Sequence, residues 1–205
     1  MNNTIKNSLK KSITYNDYRV LVKHLAEYND TTGNNKTEAS INYTKLNDRR
    51  MKRWDKTIKL SQDIEAKMKT LNEPVTWLVL TESWCGDAAH ILPVLNKLAE
   101  ANNKIDFRLV FRDENPELMD MFLTDGTRSI PKVIMIDNES DSVVGTYGPR
   151  PSVAANYVTR FKAMHGKLTP EFKEDLQHWY NNDKGQTIIE DVTQMLCQLE
   201  PNLCQ

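Results

Sequence analysis

Residues 75–101 read VTWLVLTESWCGDAAHILPVLNKLAEA. The opening run, Val75 to Thr81, is nearly continuous apolar and β-branched sequence, the pattern of a strand buried on both faces. Over 88–101 the period changes to that of a helix, with Leu92, Leu95 and Leu98 as core candidates. Between the two stands Cys85, flanked by Trp84 and Gly86. A thiolate, not a thiol, is the nucleophile. Free N–H groups and the helix dipole at a helix N-terminus favour that thiolate, and Gly86 permits close approach. Asp87 suits the first helical turn, but its charge opposes ionisation of Cys85. These opposed effects predict a modestly lowered Cys85 pKa.

Downstream, the pattern predicts a second strand over Ile105–Phe111, a short helix over 114–123 with Pro116 near its start, and a third strand over 133–136 opened by Pro131. A polar turn at 137–141 leads to a fourth strand, Ser142–Tyr147. The order is strand, helix, strand, helix, hairpin. Pro149-Arg150-Pro151 then breaks the chain. Ala154, Tyr157, Val158 and Phe161 mark a helix. Thr169-Pro170-Glu171 opens another, with Phe172, Leu176 and Trp179 as its stripe and a stop at 181–185. Ile188, Val192, Met195 and Leu199 mark the last helix, which Pro201 ends.

Upstream, Thr14 and Asp17 form a capping-box start for a helix carrying Tyr18, Leu21, Val22 and Leu25. Residues 29–40 read as a polar loop around Gly33. A long helix follows, with Met51, Trp54, Ile58, Ser61, Ile64, Met68 and Leu71 on one face and Pro74 at its end. Arg49, Arg50, Lys52, Arg53, Lys56 and Lys59 fall on the face expected to be solvated. The stripe centred on Trp54 must dock on the core or on a second subunit.

The apolar fraction of 39%, with 7 Gly and 8 Pro in 205 residues, describes a folded globular chain. Residues 1–70 carry 15 Lys+Arg against 8 Asp+Glu, and the remainder 12 against 20. The basic residues lie along a helix and not in a dense block. That favours mutual packing of the two segments over a basic arm for an anionic partner, and no nucleic-acid partner is expected. Three cysteines, Cys85, Cys197 and Cys204, without regular spacing are no secreted disulfide framework. The polar N-terminus and the lack of a long apolar run predict a cytoplasmic chain with no membrane partner. His24, His90, His165 and His178 are scattered, so no metal or other cofactor is expected.

Three features together resemble the thioredoxin family. Trp84-Cys85-Gly86-Asp87 sits where strand meets helix, Pro93 lies five residues beyond Ala88, and Ile130-Pro131 directly precedes a strand. Within that family the motif, the Arg112-Asp113-Glu114-Asn115-Pro116 string and the Arg128-Ser129-Ile130-Pro131 string resemble a bacterial branch with helical extensions. The resemblance implies an α/β thioredoxin-like fold, a mixed four-stranded sheet flanked by helices. An N-terminal helical extension (1–71) would pack on a thioredoxin-like domain (72–165), followed by a C-terminal helical extension (166–205). It implies Cys85 as the catalytic residue and a cis-proline, Pro131, beside it. Trp84, Gly86, Asp87, Ser129, Ile130 and Pro131 would contact substrate, with the Ile130 backbone open to pair with an extended peptide and Arg128 lining the same groove.

The resemblance also marks a departure. Dithiol members carry a second cysteine where this chain has Ala88, and a buried acid where it has Val79. Glu82 is close enough in sequence to substitute for that acid. One reading is a monothiol oxidoreductase: Cys85 attacks a disulfide or adduct and an external thiol resolves it. The glutathione-carboxylate pattern of glutaredoxins is not found after the hairpin, where Gly145-Thr146-Tyr147-Gly148 stands. The second reading is a redox-inactive peptide- or protein-binding module with Cys85 a relic. A third supplies the resolving thiol internally from Cys197 or Cys204. The partner is expected to be a thiol- or disulfide-bearing protein, or a low-molecular-weight thiol.

Overall fold

A computed structural model describes residues 1–200 of the chain. The central element is β2 (Val75–Thr81), preceded by β1 (Ile13–Thr14) and followed by β3 (Ile105–Phe111), β4 (Lys132–Asp137) and β5 (Ser142–Tyr147). They form one mixed sheet in the order β1-β3-β2-β4-β5. β2 runs parallel to β3, with Val79 opposite Leu109, and antiparallel to β4, with Val79 opposite Val133. Every residue of β2 is buried, as its unbroken apolar run requires. The expected four strands are all present. The fifth, β1, is two residues long and covers the outer edge of β3 by pairing Ile13 with Leu109.

Nine helices flank the sheet among the described residues. Three lead in: α1 (Asn3–Lys10), α2 (Tyr15–Glu27) and α3 (Glu38–Thr57). After α4 (Gln62–Lys69) comes α5 (Gly86–Glu100), the helix that leaves the motif. The remainder are α6 (Pro116–Met121), α7 (Ser152–His165), α8 (Pro170–Asp183) and α9 (Gln186–Leu199). None is long and apolar enough to cross a membrane. Pro201 and Cys204 lie outside the described residues.

The N-terminal helices differ from expectation in two places. α3 begins at Glu38, inside the stretch read as a loop, because Thr37 and Ser40 form a capping box. The single long helix is two: the backbone turns extended at Ile58, and the Ser61 hydroxyl then accepts from the Ile64 N–H to start α4. The apolar period runs across the break because Ile58, Met68 and Leu71 are buried on both sides of it. Met51 and Trp54 join Val22, Leu80, Ile91 and Leu95 in one continuous cluster, so the stripe docks on the chain's own core.

Candidate functional site

Cys85 is the N-cap of α5, at the point where β2 ends. It is a free thiol, 6% exposed, and its Sγ donates to the Ile130 carbonyl at 3.3 Å. The Ile130–Pro131 peptide is cis. Cys85 and Ile130 lie in the floor of a cavity of about 860 Å³, to which Trp84, Gly86, Asp87, Arg128 and Ser129 also contribute. The structure thus brings six of the seven sequence-predicted site residues to one surface. Pro131 is buried one residue behind it.

The expected modest lowering of the Cys85 pKa is overturned. Burial pushes the thiol up to about 12, and the neighbouring Asp87 carboxylate adds to the rise. The N–H groups of Ala88 and Asp87 and the charge of Arg150 act in the opposite sense, but do not offset it. The resting sulfur is therefore a thiol that donates, consistent with its hydrogen bond to Ile130.

Asp87 is held from two sides. Arg150 Nη2 lies 2.7 Å from Oδ2, and the Tyr180 hydroxyl donates to Oδ1 at 2.9 Å. Pro149-Arg150-Pro151 is therefore more than a chain break, and α8 reaches the motif through Tyr180. The same ring stacks on His90 at 4.3 Å. His90 is buried, accepts from Trp54 Nε1 at 2.9 Å and bonds Gln177 through Nε2. Its bonded and stacked partners are thus Trp54, Gln177 and Tyr180.

A second polar cluster anchors the residue before the motif. The Ser83 hydroxyl meets the hydroxyls of Thr44 at 2.8 Å and Thr31 at 3.2 Å, and accepts from the Thr32 N–H at 3.0 Å. Asn47 Nδ2 donates to the Ser83 carbonyl at 2.9 Å. The N-terminal loop also leans on Trp84: a Cβ on Gly33 (φ +89°) would come 3.3 Å from its Nε1. On the other side, the Arg112 guanidinium lies over the Trp84 ring at 4.9 Å while pairing with Asp113. Glu82 turns toward this loop, where its Oε1 accepts from the Asp113 N–H at 2.9 Å, and burial raises its carboxyl.

Sequence reasoning missed Ser83, Asn47, Arg50, Arg150 and Tyr180. Arg50, assigned to the solvated face of its helix, instead lines the cavity and bonds Asn47 Oδ1 at 3.0 Å. Of the two cysteines considered as internal resolving thiols, Cys197 is partly buried against the core and Cys204 lies outside the described residues. No group of three or more His, Cys, Asp or Glu side chains that could hold a metal ion occurs among the described residues.

A family model described as Thioredoxin matches residues 33–162. No curated protein matches the chain. Among solved structures, a protein of unknown function from Pseudomonas aeruginosa superposes with a TM-score of 0.58 at 17% identity, covering 74% of this chain and 84% of that one. An HIV epitope-scaffold gives a TM-score of 0.55 at 14% identity, over 90% of this chain and 98% of its own. At these identities the two structures speak for the fold alone.

Proposed function

We propose, since this chain belongs to the thioredoxin family, that it performs thiol–disulfide exchange through one cysteine, Cys85. The observation that carries the reading is the free thiol at the N-terminus of α5, open to a cavity beside the Ile130–Pro131 peptide. The Cys85 thiolate attacks one sulfur of a disulfide, forming a mixed disulfide and releasing the other half as a thiolate. A second, external thiol then attacks the mixed disulfide and leaves with the bound half, returning Cys85. Ala88, buried in the first turn of α5 where dithiol members hold the second cysteine, has no thiol to resolve the adduct. In this reading Trp84, Gly86, Asp87, Ser129, Ile130 and Pro131 shape the substrate site.

The pKa of about 12 favours a second reading, a groove that binds a partner without redox chemistry. Reversible capture separates the two. Wild-type protein incubated with a small disulfide should gain a Cys85 adduct by mass spectrometry that added thiol removes. Failure of the folded chain to form that adduct, with ready labelling after unfolding in urea, would leave only the binding module. An Ala88→Cys variant adds a second readout: a large gain in disulfide reduction is expected if the site lacks only its second thiol.

A further inference from the structure

The cavity over Cys85 has a small-molecule size and an unusual charge. At about 860 Å³ it falls within the range of small-ligand sites. Its walls come from helices outside the sheet: Tyr43, Leu46 and Arg50 from α3 face Lys173 and Gln177 from α8. Residues 71–205 are acidic in sum, yet the cations lining this cavity, Arg50, Arg112, Arg128, Arg150 and Lys173, outnumber its acids, Asp87 and Glu174.

The arginines are not equivalent. Arg112 pairs with Asp113, Arg128 with Asp120 and Arg150 with Asp87. Arg50 makes no ion pair among the described residues; its guanidinium is tied to the Asn47 side-chain oxygen. Asn47 is itself buried and locked to the Ser83 carbonyl, so the guanidinium is held in place before any ligand arrives. Burial disfavours its charge; Tyr43 and Asp87 nearby favour it and Arg53 and Arg49 oppose it, with a net shift downward that an incoming anion would relieve. Arg50 also stands beside the motif: a Cβ on Gly86 would lie 3.6 Å from its Nη1.

On this basis, and resting on the exchange reading above, we infer that the partner of Cys85 is a low-molecular-weight disulfide or thiol bearing a carboxylate, with Arg50 as the carboxylate anchor. A guanidinium takes a carboxylate through two parallel N–H donors. Thiols built on an amino acid carry a carboxylate a few bonds from sulfur, which suits an anchor beside Gly86, the residue that follows Cys85. In this step the S–S bond of the small disulfide breaks, one half leaves as a thiolate, and a new S–S bond joins the other half to Cys85.

The experiment uses two disulfides of matched skeleton, the dianion 3,3′-dithiodipropionate and the dication cystamine. Cys85 adduct formation is timed by mass spectrometry, and each rate is divided by that of a small free thiol with the same reagent. A normalised preference for the dianion of about tenfold is expected. It should shrink severalfold in Arg50→Gln, be partly kept in Arg50→Lys, and fade with added salt, while thermal melting of the variants stays near wild type. Equal rates, a preference for the dication, or a preference untouched by Arg50→Gln would overturn the inference and leave the exchange reading standing. If neither reagent labels the folded chain, the exchange reading fails. Calorimetric titration with 3,3′-dithiodipropionate then decides the anion site: binding weakened by Arg50→Gln upholds it, and absence of binding overturns it.

Discussion

Cys85 and His90 sit five positions apart on one helix, and burial acts on both in opposite directions. The thiol is pushed up to about 12, so iodoacetamide labelling of Cys85 should rise steadily from pH 7 to pH 10 with no inflection near neutrality. Asp87→Asn removes the adjacent negative charge and frees Arg150; labelling at pH 8 should increase by about tenfold. His90 is driven down to about 3 from 6.5. Trp54 Nε1 donates to its Nδ1, so the ring is neutral with its proton on Nε2, facing Gln177. The folded state cannot take a proton there until pH nears 3, whereas the unfolded chain takes one near 6.5. Stability should therefore fall as pH drops between these values, by up to ~1.4 kcal/mol per pH unit from this group. Urea unfolding of His90→Gln across pH 7 to 4 should show a shallower loss than wild type. Cys85 itself was legible from its position after a strand. Its pKa was not, because the segments that wall its cavity, α3, α8 and the Ile130 loop, are distant in sequence.

At the scale of elements, the strands were the most legible part. Val75–Thr81, Ile105–Phe111 and Ser142–Tyr147 were read with the bounds they have, because β-branched runs end at polar turns. The α3–α4 break was hidden because Ile58 and Ile64 keep the helical apolar period across it. Ser61 as the cap of α4 is worth about 1 kcal/mol, and Ser61→Ala should lower the unfolding free energy by that amount. The connections around the site tolerate less. Gly148 has φ +99°, and a Cβ there would come 2.3 Å from the Pro131 carbonyl oxygen. Gly148→Ala should cost a few kcal/mol and displace the Arg150 loop from Asp87. Loss of melting temperature together with altered Cys85 labelling would register both effects.

The whole molecule is held together where its N-terminal helices meet the motif. Tyr18, Val22, Met51 and Trp54 belong to the same apolar cluster as β2 and α5. A chain beginning at residue 70 would expose that surface, strip Ser83 of Thr31, Thr32, Thr44 and Asn47, and take Trp54 from His90. Such a truncation should aggregate, or melt far below the full chain in a thermal scan. Loss of one residue of the Ser83 polar cluster is milder: Ser83→Ala leaves the Thr31, Thr44 and Thr32 groups partly unsatisfied, at about 1–3 kcal/mol. The docking of the basic N-terminal segment was expected from its apolar stripe. Its polar grip on Ser83 was not, since Thr31 and Thr32 fall in a loop that carries no periodic signal.

That grip has a consequence for descent. Positions 31, 44, 47 and 83 form one bonded set across two distant stretches of chain. A change at one of them strands the others, so viable relatives should alter them jointly and seldom singly. A lineage that sheds the first sixty residues would have to rewrite position 83 in the same step. The inheritance of the arm and the inheritance of the motif are thus expected to be a single event.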